Sequence, residues 1–328
     1  MKRLGLGFSG TPFSVKEILE PVKLADQMNF DSVWIAEDYY YRDAVSYLAA
    51  SALVTTKISL ALGVINPYTR NLALIAMTAA TLDELSDGRF LLGMGTGVRF
   101  MEDMGVVMGK PLRSMKEAAE ILRRILRKEK LTYNGTNFKL KKVQLGFNPV
   151  QNQIPLYLAA IGPKMLQLAG EVYDGVLLTA ASSPKYIEYA IDHITEGTNK
   201  AGKNLEDVDI ASYIICAMST DDEALDKSFI EYFAFNVATA DVGYLQLCGI
   251  EKEGQAIKEA WKKGGVKKAA EKVTSEVLDA LAIYGSPKKC LQGLQRYIDA
   301  GVTLPILMPF GSIAKVKSTI ETFGKKFL

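Results

Sequence analysis

Short apolar runs alternate with amphipathic segments along the whole chain. Runs suited to buried strands stand at residues 3–8 (RLGLGF), 32–35 (SVWI), 58–64 (ISLALGV), 89–95 (RFLLGMG), 155–161 (PLYLAAI), 175–180 (GVLLTA), 209–217 (DIASYIICA) and 304–309 (LPILMP). Helical spacing separates them. Val15, Ile18, Leu19, Val22 and Ala25 share one face, and Ser14 with Glu17 has the spacing of a capping box. Further helices are expected near 45–54 and 72–85, and over Leu112, Met115, Ala119, Leu122 and Leu126. Ser183–Pro184 and Ser286–Pro287 read as a cap followed by a first-turn proline. Eight strands, each followed by a helix, imply a parallel sheet and point to a closed (β/α)8 TIM barrel. A doubly wound sheet produces the same early signals.

Three segments exceed the minimal barrel. Residues 98–111 form a long loop after the fourth strand, and 130–148 contain a hairpin expected to turn at Asn134–Gly135. Residues 221–284 read as a helical insertion before the last repeat. The whole of 1–328 reads as one barrel domain carrying these insertions.

Composition narrows the function classes. With 39 basic against 37 acidic residues, the net charge of +2 supplies no field that recruits nucleic acid or an anionic membrane. No run approaches the roughly 18 apolar residues of a membrane span, and the first residues do not resemble a signal peptide. Cys216, Cys248 and Cys290 are odd in number and widely spaced, unlike a disulfide framework or a metal site. The expectation is a cytoplasmic protein acting on a small molecule, with no metal, nucleic acid or membrane partner.

In a barrel, ligand-handling groups gather at the C-terminal ends of the strands. The stretch 33–44, VWIAEDYYYRDA, runs from a strand into Glu37, Asp38, Tyr39, Tyr40, Tyr41 and Arg42, while the single histidine, His193, lies on a helix elsewhere. Glu37 and Asp38 are adjacent acids at a strand mouth; two close carboxylates push one pKa upward, and Arg42 is expected to temper that shift. GVINPYTRN (63–71) brings Asn66, Tyr68 and Arg70 to the third strand's end, as a ligand loop or as a polar turn opening a helix. Gly95 and Gly97 follow the fourth strand, where glycines let backbone approach a ring closely. Ala160, Gly162, Pro163 and Lys164 lead into a helix whose free N–H groups could meet an anion, and Thr179, Ser182 and Ser183 stand at the next strand end. Capping alone would also account for these residues. TLDELSDGRF (81–90) turns at the opposite, structural face of the barrel, and the lysines at 262–272 read as a solvated face.

FDSVWIAE, TLDELSDGRF and GPKMLQLAGEVYDGVLLTA resemble the bacterial-luciferase-like flavin and deazaflavin superfamily, over nearly the whole chain. GVINPYTRNLALIAMTAATLDELSDGR is most similar to the archaeal methylenetetrahydromethanopterin reductases. The resemblance implies a (β/α)8 barrel, a homodimer or higher homo-oligomer, and coenzyme F-420 at the mouth; an FMN-dependent monooxygenase, or a cofactor-binding barrel without catalysis, are the alternatives. It also implies a non-prolyl cis peptide at Gly63–Val64 behind the deazaflavin ring, Asn66 and Tyr68 facing ring or substrate, and Gly162, Pro163, Lys164 and Thr179 at the cofactor's phospho end. Tyr39, Arg42, Tyr68 and Arg70 become substrate-side candidates, with Glu37 or Asp38 catalytic. The chain departs from the pattern at three positions. Asp38 stands where many deazaflavin-dependent relatives carry histidine, and Gly7 and Val98 stand where the reductases tend to carry carboxylates.

Overall fold

A computed structural model describes residues 2–10, 13–97, 101–219 and 225–328. Eight parallel strands close into a barrel: β1 (Gly5–Phe8), β2 (Ser32–Ile35), β3 (Ser59–Ile65), β4 (Phe90–Met94), β7 (Leu156–Ala159), β8 (Gly175–Leu178), β9 (Asp209–Met218) and β11 (Leu304–Pro309). Leu178 of β8 lies opposite Ser212 of β9, and that pairing completes the ring. All eight runs expected from the sequence are therefore strands. Their near-continuous apolar character follows from burial on both faces, by helices outside and side chains inside.

The first helices lie where the apolar period placed them: α1 (Val15–Gln27), α2 (Ala44–Ala52), α3 (Leu72–Leu85) and α4 (Pro111–Leu126). Ser14 and Glu17 make the reciprocal capping box at the start of α1. α5 (Pro163–Val172) and α6 (Pro184–Lys200) both open on proline at the first helical position. The hairpin pairs β5 (Leu131–Asn134) with β6 (Lys139–Val143). It turns through four residues rather than two, because Asn134 itself pairs with Lys139 and Gly135 N–H donates to Phe138 O at 2.9 Å. The buried Glu117 carboxylate on α4 holds that turn, accepting from the backbone of Thr136, Asn137 and Phe138 at 2.9, 3.0 and 3.3 Å.

After β9 come α7 (Lys227–Thr239), α8 (Val242–Leu247), α9 (Glu251–Ala270) and α10 (Ser275–Leu281). The sequence reading carried this helical segment to 284. Residues Ala282–Gly285 instead form a further strand, β10, which pairs with Ile215–Met218. β9 is ten residues long and overshoots β8, so its exposed edge would otherwise lack backbone partners. Its four-residue length and the helix directly before it hid β10 from periodicity. α11 (Pro287–Asp299) and α12 (Ile313–Lys326) finish the chain. Among the described residues no helix is long and apolar enough to cross a membrane.

The N-terminal end of the barrel is tied by charge. Arg3 donates to Asp31 at 2.8 Å and to both oxygens of Asp209 at 2.9 Å, while Tyr157 donates to Asp209 at 2.7 Å and Thr303 also bonds it. Burial, then the Asp209 carboxylate, pushes the Tyr157 hydroxyl well above its usual pKa, so it stays a donor. The same end holds the 81–90 turn, where Asp83 accepts from Gln151 N and Nε2 at 2.8 and 2.7 Å, which fits the structural reading of that segment.

Asp209→Ala removes the partner of Arg3, Tyr157 and Thr303 together. With Arg3 partly solvated, the expected loss is about 2–3 kcal/mol in urea unfolding, against a smaller loss for Asp209→Asn. A loss below about 0.5 kcal/mol would show that strand pairing alone closes the barrel.

Candidate active site at the barrel mouth

The two acids after β2 diverge, because successive side chains of an extended chain point to opposite sides. Glu37 turns toward β3. Its Oε1 accepts from Arg70 Nε at 2.7 Å, and Arg70 Nη2 reaches Asp43 at 2.6 Å. Asp43 in turn caps α2 through Ser46 N–H at 2.8 Å. The Glu37 side chain is 11% exposed, and its second oxygen, Oε2, is buried with no hydrogen-bond partner. Burial raises its pKa above the ordinary carboxylate value; Arg70 pulls it back and Asp43 opposes Arg70. This corrects the sequence reading in two respects. The raising comes from burial rather than from Asp38, and the tempering cation is Arg70. Arg42 is exposed and faces Glu17 and Tyr47, because the loop carries it outward past the left-handed Tyr40.

Asp38 turns toward β1, where its Oδ2 accepts from Ser9 Oγ at 3.0 Å and from Gly10 N–H. It fastens the loop between β1 and α1.

Gly63–Val64 is a cis peptide, as the resemblance implied. Tyr213, on β9 across the barrel, donates its hydroxyl to Gly63 O at 2.7 Å. A side chain at Gly63 would run into that hydroxyl and come within 2.9 Å of Trp34, and one at Gly7 would lie 2.7 Å from the Tyr213 ring. The Tyr213 ring thus fills space that a carboxylate at position 7 would need. Val98, the other position of that comparison, lies outside the described residues. Asn66 is 1% exposed and fully engaged: Oδ1 accepts from Tyr68 N and Thr69 N at 2.9 Å, and Nδ2 donates to Tyr39 Oη. Tyr39 also meets Thr69 Oγ1 at 3.3 Å. The Tyr68 hydroxyl is buried and faces the buried Ser114 in the first turn of α4.

The glycines of the fourth strand end are also required by packing within the mouth. A side chain at Gly95 would press on Val64 Cγ2 at 2.8 Å, and one at Gly97, whose φ is +56°, on Asn66 Nδ2 at 2.7 Å. They let the β3 loop pack down as the floor of the mouth. Ala160 is buried, whereas Gly162, Pro163 and Lys164 are exposed at the start of α5, which has no side-chain cap. Thr179 is half-buried, and its carbonyl accepts from Ser182 Oγ at 2.7 Å. Ser182 also shares a hydrogen bond with Tyr244, and Ser183 caps α6, so both serines are used by the fold.

The mouth has two halves. One, over β3, β4, β7 and β8, carries the cis peptide, the packed glycines and the open end of α5. The other, over β9, β11 and β1, is a cleft of about 320 Å³ between the strand ends and α7. β2, with Glu37 and Asp38, lies between the halves. The residues missed from sequence are Tyr213 and the lining of the cleft. Tyr213 sits in phase with Ala211 on the inward face of β9, a signal that alternation within DIASYIICA offered.

Comparison with known proteins agrees with this geometry. A family model described as "Luciferase-like monooxygenase" matches residues 3–304. A 5,10-methylenetetrahydromethanopterin reductase of Methanolobus tindarius is 39% identical over 319 residues, 96% of each chain. One from Archaeoglobus fulgidus is 36% identical over 314 residues, covering 94% of this chain and 93% of the relative. The solved coenzyme F-420-dependent tetrahydromethanopterin reductase of Methanopyrus kandleri superposes with a TM-score of 0.89 at 28% identity, covering 99% of this chain and 98% of that one.

Replacing Arg70 by methionine removes the cation that lowers the Glu37 pKa while burial remains. The Glu37 carboxyl should then titrate at a higher pH than in the wild type, read by carbon NMR of the labelled side chain. An unchanged or lower titration point would show that Arg70 does not govern it.

Proposed function

The chain belongs to the luciferase-like monooxygenase family, and we propose that within it the protein is a coenzyme F-420-dependent oxidoreductase acting on 5,10-methylenetetrahydromethanopterin or a close reduced pterin. The observation that carries this reading is identity of up to 39% with reductases of that name over 96% of both chains. The mouth fits the cofactor in its chemistry. It offers an uncapped, exposed helix start beside Lys164 for an anionic tail, and a buried polar atom, Glu37 Oε2, that no protein group satisfies. Gly63, Val64, Asn66, Gly95, Gly97 and Ala160 would lie along the ring, and Gly162, Pro163, Lys164 and Thr179 would hold the tail. When bound, the deazaflavin supplies the carbon that gives or takes a hydride.

The chain's own residues do the rest. A methylene-bridged reduced pterin accepts hydride through an iminium-like cation, and a buried carboxylate nearby stabilises that developing charge. Glu37 fills this role, with Oε2 unengaged and Arg70 holding Oε1 in place. Asp38 positions the β1 loop. Tyr39 and Arg70 act by fixing Asn66 and Glu37, Tyr68 braces the β3 loop against Ser114 of α4, and Arg42 contributes only at the rim. The protein works in the cytoplasm as a homodimer or higher homo-oligomer, and the oligomeric part of that reading is supported by Leu74 and Met77, exposed at helical spacing on α3.

Anaerobic spectral titration should give tight binding of F-420 and none of comparable strength for FMN; the reverse result would move the protein to the flavin branch. Glu37→Gln should lower kcat by about a hundredfold with F-420 affinity kept. Burial raises the Glu37 pKa, so its carboxyl takes up a proton at a higher pH than an exposed glutamate. The ionised form is the useful one, so kcat/KM should fall on the acid side at a higher pH than an exposed glutamate would give, and that limb should vanish in Glu37→Gln. Full turnover in the variant would remove Glu37 from the mechanism.

A further inference from the structure

Behind the half of the mouth that carries the open end of α5, three buried tyrosines converge: Tyr186 on α6, Tyr244 on α8 and Tyr297 on α11. The Tyr186 and Tyr244 rings meet edge to face at 4.8 Å. Each hydroxyl ends on a backbone carbonyl of a mouth loop. Tyr186 donates to Ile161 O at 2.8 Å, immediately before the start of α5. In the loop between β8 and α6, Tyr244 donates to Ala181 O at 3.1 Å and Tyr297 to Ser182 O at 3.0 Å. Tyr244 also meets Ser182 Oγ at 2.9 Å, and Ser182 gives its own proton to Thr179 O at 2.7 Å. Burial pushes all three tyrosine hydroxyls well above their ordinary pKa, so they stay donors. Ala181 stands at φ +59°, a left-handed conformation that alanine rarely adopts, so the loop needs these anchors to keep its shape.

A trans peptide points its N–H opposite to its C=O. With Ile161 O and Thr179 O drawn toward the buried hydroxyls, the N–H groups of Gly162 and Ala180 turn the other way. Gly162 is exposed and Ala180 half-buried, and their loops follow β7 and β8, which are neighbours in the barrel. We infer that Tyr186, Tyr244 and Tyr297 are positioning residues for the coenzyme's anionic tail, holding the β7 and β8 loops from behind so that the N–H groups of Gly162 and Ala180 face it. The inference rests on the F-420 reading and adds which buried residues set affinity for the tail without touching it. Tyr244 lies in the segment between β9 and β10, so that segment governs the tail's binding as well as walling the cleft.

The test titrates the full chain by fluorescence with two ligands: F-420, and the deazaflavin riboside that has the same ring but no anionic tail. Tyr244→Phe keeps the ring and removes only the hydroxyl, and thermal unfolding checks that the variant is folded. It should weaken F-420 about tenfold and leave the riboside's affinity as in wild type. Tyr186→Phe, acting on the other loop, should show the same selective loss. Should Tyr244→Phe fail to fold, Ser182→Ala, which frees Thr179 O, carries the same comparison. A purely structural tyrosine would move both ligands or neither, so an equal loss for the two, or none for F-420, overturns the positioning role. If the wild type takes FMN and not F-420, the cofactor reading fails. The positioning role is then decided by FMN against riboflavin: a loss confined to FMN upholds it, and an equal loss or none overturns it.

Discussion

Closing eight short strands into a ring leaves an interior that a few side chains must fill without voids, and here three aromatic rings do it against glycines. Trp34, Tyr157 and Tyr213 point inward, and Gly5, Gly7, Gly63 and Gly175 stand where those rings need room. Each ring also has a polar tip, and each tip is satisfied: Trp34 by Ser32 at 2.8 Å, Tyr157 by Asp209, Tyr213 by Gly63 O. The interior is therefore both filled and hydrogen-bonded, with Tyr157 reaching down to the charged base and Tyr213 reaching up to the floor of the mouth. A substitution at any of these glycines is felt as a displaced ring, and through the ring at one end of the barrel or the other.

The same packing explains why the acids at the β2 end have different work. The extended chain sends Glu37 over the β3 loop and Asp38 over the β1 loop. Burial raises the pKa of the first against the pull of Arg70, while the second binds a hydroxyl and a backbone N–H and organises a cleft wall. Adjacency in sequence suggested a coupled pair of carboxylates. The alternation of an extended backbone separates them, and that is a rule the sequence itself contains.

Much of the fold was legible because strands buried on both faces have an unmistakable apolar run, and capping residues such as Ser14, Ser183 and Ser286 mark helix starts. β10 was not legible, since its four residues follow a helix without a turn signal and owe their pairing to the overshoot of β9. The neighbourhood of the site was legible from strand ends, but the partners were not: Arg70 rather than Arg42 meets Glu37 because of where the loop at Tyr40 turns. Tyr213 and Asp226 come to the mouth from segments far along the chain, and only closure of the barrel brings them there.

The way β10 joins β9 has a further consequence. Met218 pairs with Gly285, and Ser219 N–H donates to Gly285 O at 2.9 Å, so the chain leaves the end of β9 and returns beside that same end. Everything from α7 to α10 hangs between those two neighbouring residues as an exchangeable cassette. Such a segment can be lengthened, shortened or replaced over generations without moving a barrel strand. It supplies Asp226, Ser228 and Tyr232 to the cleft, so a lineage could acquire new substrates by remodelling that one piece while the hydride chemistry underneath stays untouched.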